Sequence, residues 1–418
     1  MKNKLNIGLI GFGCVGEGLY DVLNQSGLID AEVTRIVVKD PKKQRSLPLD
    51  RFGYDVNEIL IDLEINVVVE LINDSDEAYH IVKKALEAGK HVVSANKKLI
   101  AEHLIELSEL AELNEVSFLY EAAVAGSIPI IRNLEEYYNN DSLTSLEGIL
   151  NGTTNYILTK ANEGIDYTSA LKDAQNLGFA ELNPTLDVDG YDSKYKLAIL
   201  LKHGFGIDVN PDLIFNSGIR NVSKQAIEYA SEKGYRIKLF SRAEKINNGI
   251  AGFVAPHFIR NDHFAFNVDN EFNAVVVEGL FSDKQLFIGK GAGSHPTASA
   301  VLSDISALKF NYKYEYRRSG KYEEIRYTED FFVKIYLESK YVDAINEVPF
   351  YRVDELFQSD ALNYQTGWVK FSELSQFDFN NLPNLSMIIL PDALRIGSEF
   401  KNESIAQNFL ELDAIQTV

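Results

Sequence analysis

The chain is 418 residues long, enough for two or three domains with cores of their own. A formal net charge of −20 argues against nucleic acid or an anionic membrane as partner. The single cysteine, Cys14, excludes an internal disulfide and any multi-cysteine zinc site, and no segment approaches the length of a transmembrane helix.

The start, "MKNKLNIGLIGFGCVG", is not a signal peptide, because glycines interrupt the apolar run almost at once. A cytoplasmic protein is expected. "LNIGLIG" reads as a buried strand, and the glycines after it open a helix that runs to about Asn24. "EVTRIVV", "INVVVELI" and "HVVSAN" read as further strands, with helices over Asp76–Ala88 and about Ile100–Asn114 between and after them. Strand and helix alternating in this way predict right-handed βαβ units around a doubly wound, Rossmann-type parallel sheet over residues 1–135.

From "SLEGIL" the texture changes. A helix after "NGTTN", another over Tyr167–Leu177 and a longer one over about Asp192–His203 precede "RIKLFSRAEKI", "AGFVAPHFI", "NAVVVEG" and "KQLFIGKG", which read as strands. An α+β substrate and dimerisation domain with a mostly antiparallel sheet is expected over 136–319. Within it the stretch 296–310 is a helix returning towards the first domain. Past about Arg318, "DFFVKIYLES", "GWVKFSEL" and "LSMIILP" predict a small α+β C-terminal domain over 320–418.

Gly11-Phe12-Gly13-Cys14-Val15-Gly16 is a G-x-G-x-x-G between a strand and a helix. Gly11 permits the tight turn, Gly13 lets the backbone approach a pyrophosphate, and Gly16 allows close helix–strand packing. Glycines also make ordinary turns, but here strand, loop and helix agree with a dinucleotide site. The second strand ends at Val38-Lys39-Asp40, with Lys42, Lys43 and Arg45 beyond. Asp40 would hydrogen-bond the ribose of NAD; Lys39 and the basic cluster would accommodate the 2′-phosphate of NADP, and Lys39 is the favoured contact. Ser94-Ala95-Asn96-Lys97 closes the fourth strand at the edge where ligands sit, which makes Ser94 and Lys97 candidates.

The stretch "AELNPTLDVDGYDSKYK" crowds Glu181, Asp187, Asp189 and Asp192 ahead of Lys194 and Lys196. Asp192 and Lys196 fall one turn apart on the same face of a helix whose next residues on that face are apolar. A plain surface ion pair at this spacing is worth only a few tenths of a kcal/mol and leaves the other carboxylates unexplained. Carboxylates concentrated this way need a cation, either a substrate ammonium or a metal. With a nicotinamide and nearby lysines, the chemistry is hydride transfer to or from a small amino-acid derivative.

The stretches "GLIGFGCVG", "ALEAGKHVVSANK", "YEAAVAGSIPII", "GILNGTTNYIL", "NPTLDVDGYDSKYK" and "GKGAGSHPTASAVLSD" stand in the order of homoserine dehydrogenases, a family the chain resembles over about residues 5–310. The resemblance implies NAD(P)-dependent interconversion of L-homoserine and L-aspartate 4-semialdehyde, in threonine and methionine synthesis, by a homodimer. It implies Lys196 as proton donor, Lys97 at the junction of cofactor and substrate, Glu181 and Asp192 as substrate carboxylates with Asp187 as helper, and Gly291 and Asn73 beside the cofactor. It implies a monovalent cation, usually sodium, on Glu121, Val124, Gly126 and Ile128, largely through backbone oxygens.

Three departures from the family stand out. Ser127 replaces a common second glycine in the cation loop. Asn73-Asp74 replaces a glycine pair near the nicotinamide ribose. The C-terminal part lacks the Asp-x-Pro-Gly turn of amino-acid-sensing ACT domains, so a degenerate ACT-like module is expected. A form fused behind an aspartokinase is not expected. Two other readings remain: another amino-acid-metabolism Rossmann dehydrogenase, which leaves "NGTTNYIL" unexplained, and an inactive nucleotide-binding sensor, against which Lys97, Asp192 and Lys196 speak.

Overall fold

The structure, a computed structural model, describes residues 4–400 except 28, 248, 321–324 and 398. Residues 401–418 of the expected C-terminal domain lie outside the described residues.

The first sheet contains β1 (Leu5–Ile10), β2 (Ala31–Val37), β3 (Phe52–Gly53), β4 (Val67–Glu70), β5 (His91–Ser94) and β6 (Phe118–Leu119). Every pairing is parallel and the order is β3-β2-β1-β4-β5-β6, so successive strands are added to one side of β1 and then, from β4, to the other, and the winding reverses between β1 and β4. In such a sheet ligands bind outside the carboxyl ends of the strands at that reversal. The strands read as continuous apolar runs because helices cover both faces; all four residues of β4 are buried, Glu70 included. The connecting helices are α1 (Cys14–Ser26), α2 (Ser75–Glu87) and α3 (Lys97–Leu113). Asp74 caps α2 by accepting from Asp76 and Glu77, and Asn96 caps α3 by accepting from Leu99. Lys97 is therefore the first helical residue beyond the end of β5. "VSFLYEAAV" gives only its Phe118–Leu119 to the sheet, and Ala122–Ala125 turns helical.

The second sheet begins with β7 (Leu143–Ile149) and continues after α4 (Gly152–Asn162), α5 (Tyr167–Asn176) and α6 (Tyr191–Phe205). It adds β8 (Phe215–Asn216), β9 (Arg236–Ile246), β10 (Gly249–Ile259), β11 (Phe272–Gly279) and β12 (Asp283–Lys290), with α7 (Lys224–Glu232) between β8 and β9. α6 is buried along almost its whole length, packed between β9 and β10 on one side and α3 on the other. α8 (Ser294–Leu308) then returns to the first sheet and lies against α1. The approach is close enough that a Cβ on Gly18 would meet the Ser294 hydroxyl at 2.4 Å, and that hydroxyl donates to the Cys14 carbonyl at 2.8 Å.

After β13 (Arg326–Tyr327) come β14 (Phe332–Ser339), β15 (Phe350–Gln358), β16 (Asn363–Lys370) and β17 (Leu385–Arg395). One-turn helices at Val342–Asn346 and Phe371–Leu374 follow β14 and β16. The segment is a β-α-β-β-α-β unit with antiparallel order β17-β14-β16-β15, the split βαβ arrangement. It is not set apart from the second sheet. β17 runs beside β10, with His257 opposite Ile389, and Phe215 and Phe253 share a core with Phe331, Phe371 and Phe379.

Candidate active site

The site is built where α6 begins. Gly190, with φ of 83°, takes the left-handed conformation that ends the preceding turn and lets the helix start at Tyr191. Asp192 then sits in the first turn with Lys196 one turn later, and Lys196 Nζ donates to Asp192 Oδ2 at 2.7 Å. The other oxygen, Oδ1, lies 3.1 Å from Nζ of Lys97, which comes from the far sheet. Asp192 thus joins the two halves of the molecule through two lysines. Lys196 also donates to the Leu150 carbonyl at 2.7 Å.

Asn151 completes the cluster and was not among the residues expected from the sequence. It caps α4: its Oδ1 accepts from the Thr154 N–H at 2.9 Å, which fixes the amide so that Nδ2 faces the acids. Nδ2 donates to Asp187 Oδ1 at 2.7 Å and to Asp192 Oδ2 at 2.9 Å. An asparagine three residues before a threonine at a helix start is a legible cap. Its second task depends on a segment that only the fold brings alongside.

Burial alone would push the Asp192 carboxyl up. The charges of Lys196 and Lys97 overcome it, helped by hydrogen bonds from Lys196 and Asn151, and hold the group well below the usual carboxylate range. Asp187 goes the other way: burial and then the charge of Asp192 raise it, with Asn151 and both lysines pulling back. Lys97 is raised, chiefly by the Asp192 charge. Two neighbouring carboxyls are therefore driven apart, one fixed as an anion and one easier to protonate.

These groups face a cleft of about 680 Å³ between the two sheets, the size of a small-molecule site. Val15, Ile72, Asn73 and Lys97 line one wall, Gly152, Glu181, Asp187 and Lys196 the other, and Lys290–Thr297 runs along the rim. Glu181 is exposed at the edge of the cleft, with its carbonyl accepting from Gln175 at 3.0 Å.

The glycine loop fits a pyrophosphate. Gly11 has φ of 95°, and a Cβ there would meet the Leu71 carbonyl oxygen at 2.7 Å. A Cβ on Gly16 would meet the Gly11 oxygen at 2.4 Å, so helix and strand touch. Gly13 faces open space, and no side chain caps α1, which leaves N–H groups at its start for an anion. Gly291 is as crowded behind as Gly13 is open: a Cβ would lie 1.9 Å from the Asn273 amide.

Several candidate side chains point elsewhere. Phe12 packs edge-on against Phe52 at 5.2 Å in the core, and Cys14 is exposed. Ser94 is fully buried, and its hydroxyl donates to Glu70 at 2.5 Å. Burial pushes Glu70 up to about 7, with hydrogen bonds from Ser94 and the Ile72 N–H pulling back. Lys39 is exposed and pairs with Glu77 at 2.9 Å. Asp40 accepts from the Lys42 N–H at 2.8 Å, and Arg45 folds onto the Asp40 carbonyl at 2.7 Å.

In the expected cation loop the Glu121 carboxylate accepts from the N–H groups of Ile131 and Arg132 at 2.8 and 2.9 Å. Its own N–H donates to Asp304 at 2.9 Å. Burial, then the Asp304 charge, pushes Glu121 up to about 8. A cation here would therefore rest on main-chain oxygens of Glu121, Val124, Gly126 and Ile128; the Ile128 carbonyl already accepts from Ile130 at 2.8 Å. Gly126 lies against Gly291, and Ser127 donates twice to the Lys290 carbonyl, at 3.0 Å each, so the serine ties this loop to the rim of the cleft. Among the described residues no helix is long and apolar enough to cross a membrane.

Residues 11–121 match the family model of the homoserine dehydrogenase NAD binding domain, and residues 129–306 match that of homoserine dehydrogenase. The chain is 41% identical to a homoserine dehydrogenase of Lactococcus lactis over 313 residues, 72% of this chain and 73% of the relative. It is 33% identical to that of Bacillus subtilis over 429 aligned residues, 99% of this chain and 96% of the relative. A crystal structure of a homoserine dehydrogenase from Thiobacillus denitrificans superposes with a TM-score of 0.81 at 30% identity, covering 93% of this chain and 98% of that one.

Proposed function

The chain belongs to the homoserine dehydrogenase family, and we propose that its inter-sheet cleft performs the reaction with Lys196 as proton donor. The observation that carries this is one anionic carboxylate, Asp192, held between Lys196 and Lys97 in that cleft. The protein is an oxidoreductase with an NAD(P)-binding domain, and the reaction interconverts L-homoserine and L-aspartate 4-semialdehyde. A nicotinamide cofactor, when bound, supplies or accepts the hydride. The N–H groups at the start of α1 and the open side of Gly13 would hold its pyrophosphate, with Val15, Asn73, Lys97 and Gly291 along the same cleft.

Glu181 and Asp192 receive the substrate ammonium, with Asp187 beside them. Fixing that end places the aldehyde carbon, and positioning of this kind removes several kcal/mol of the barrier. In the reducing direction negative charge grows on the aldehyde oxygen. Lys196 Nζ stabilises it and gives up a proton, while Lys97 adds positive potential. Asp192 keeps Lys97 charged and aims Lys196 from one turn away.

Lys39, 79% exposed, favours NADP: it stands beyond the end of β2, and the Asp40 carboxylate is turned onto its own loop. A spectrophotometric assay tests the whole reading. Adding aspartate semialdehyde should consume NADPH faster than NADH at equal concentration; consumption of neither would sink it.

We assign a monovalent cation, sodium, to the main-chain oxygens of the 121–128 loop, which touches the rim at Gly291. Replacing sodium by choline at constant ionic strength should lower kcat several-fold; an unchanged kcat rules the site out. The resemblance carries with it a homodimer and a cytoplasmic place of action.

The C-terminal unit is proposed not to confer threonine inhibition. The turn after β14 is closed by its own bonds: the Tyr341 N–H donates to Ser339 Oγ at 3.0 Å, and Asn363 Nδ2 donates to the Lys340 carbonyl at 2.9 Å. Ser339, Lys340, Tyr341 and Val342 stand where a glycine turn would admit a ligand to the backbone. Activity of the full chain should be unchanged through sub-millimolar threonine, and inhibition in that range would overturn this.

A further inference from the structure

We propose that Asn380, in the C-terminal unit, is a positioning residue for the catalytic carboxylates: it holds the main chain at Asp189, between Asp187 and Asp192. The inference rests on the assignment of those carboxylates to the substrate.

Asn380 lies on a short turn, Phe379–Asn381, between β16 and β17. Its amide reaches out of that unit. Nδ2 donates to the Asp189 carbonyl at 3.1 Å and to the Asn216 carbonyl at 3.3 Å, while Oδ1 accepts from the Gly218 N–H at 2.8 Å. One side chain thus binds the loop ahead of α6 and the strand end behind it. The surroundings leave that loop little room. Asn216 Nδ2 donates to the same Asp189 carbonyl at 2.8 Å, and the Ile219 N–H donates to the Val188 carbonyl at 2.7 Å. A Cβ on Gly218 would lie 1.9 Å from the Val188 oxygen. Arg220 grips the Asp189 carboxylate with Nε at 2.8 Å and Nη2 at 3.0 Å. Asp189 is 7% exposed, so its carbonyl has few alternative partners in water. The contact from Asn380 is the one in this set that comes from beyond residue 320. It gives the C-terminal unit a direct hold on the segment whose ends carry Asp187 and Asp192.

The test uses the full chain. Asn380→Ala removes three neutral hydrogen bonds, one of them to the Asp189 carbonyl, so KM for homoserine should rise about fivefold and amide exchange over residues 187–192 should quicken by a similar factor. The cofactor KM should stay within about twofold, because the glycine loop is untouched. Asn380→Asp keeps the acceptor for Gly218 but loses the donor, and should show the same split. Asn221→Ala removes bonds to the Phe379 and Leu382 carbonyls, at 2.6 and 3.3 Å, without touching Asp189, and should keep the wild-type KM. Unchanged exchange and KM in Asn380→Ala, an equal rise in cofactor KM, or the same rise in Asn221→Ala overturns the role. Exchange needs no substrate, so it decides the positioning claim separately from the functional reading, which fails if the wild-type protein turns over no homoserine.

Discussion

Lys196→Ala should abolish most turnover while leaving cofactor binding nearly intact. Losing a positioned proton donor costs two to four orders of magnitude in rate, on the order of 3–5 kcal/mol. The geometry fixes the residue's ammonium tightly in place. Its Nζ is fixed by Asp192 at 2.7 Å and by the Leu150 carbonyl at 2.7 Å, and it is 8% exposed. Water entering the vacated space would be a weaker acid with no fixed orientation. Cofactor binding should hold because the glycine loop lies on the other sheet. Lys196→Met keeps the apolar stem in its packed place, so a fold defect and a chemical defect can be told apart by thermal melting. Steady-state kinetics with fluorescence titration of the cofactor measure both quantities. More than a tenth of wild-type turnover in either variant defeats the assignment.

Asp192→Asn should raise KM for homoserine by an order of magnitude or more and lower kcat as well. Removing one partner of a buried ionic cluster leaves the rest uncompensated, which costs roughly 3–5 kcal/mol where nothing replaces it. Two lysines would then face each other across a neutral amide. Lys97 owes its raised pKa chiefly to this carboxylate, so the alkaline limb of the kcat/KM profile should move to lower pH in the variant. The stability effect has the opposite pH sense. The depressed Asp192 pKa contributes stability in full above the ordinary aspartate value of 3.8 and loses it progressively below. Wild type should therefore lose its advantage over the variant only in acid. Glu181→Gln offers the contrast. That side chain is exposed and screened, so its KM effect should be milder, with the cofactor constant unmoved. If either substitution shifts the cofactor constant as much as the substrate constant, the assigned roles are wrong.

The sequence alone carried whatever depends on neighbours along the chain. Four of the six strands of the first sheet, the glycine loop opening α1, and the Asp192–Lys196 pair follow from apolar runs, turn chemistry and the period of a helix, while the two-residue strands β3 and β6 do not. Even the long hairpin strand Arg236–Ile246 matches its sequence run residue for residue. Tertiary structure decided which distant groups meet. It brought Lys97 to the second oxygen of Asp192 and Asn151 to two carboxylates at once. It turned Ser94 inward onto Glu70 and set the Glu121 carboxylate on the N–H groups of Ile131 and Arg132. It joined the C-terminal strands to the second sheet through β17, which let Asn380 reach Asp189. Each of these outcomes depends on where one strand edge or helix end lands against another. That placement is fixed by the packing of whole layers, and a local residue pattern holds no record of it.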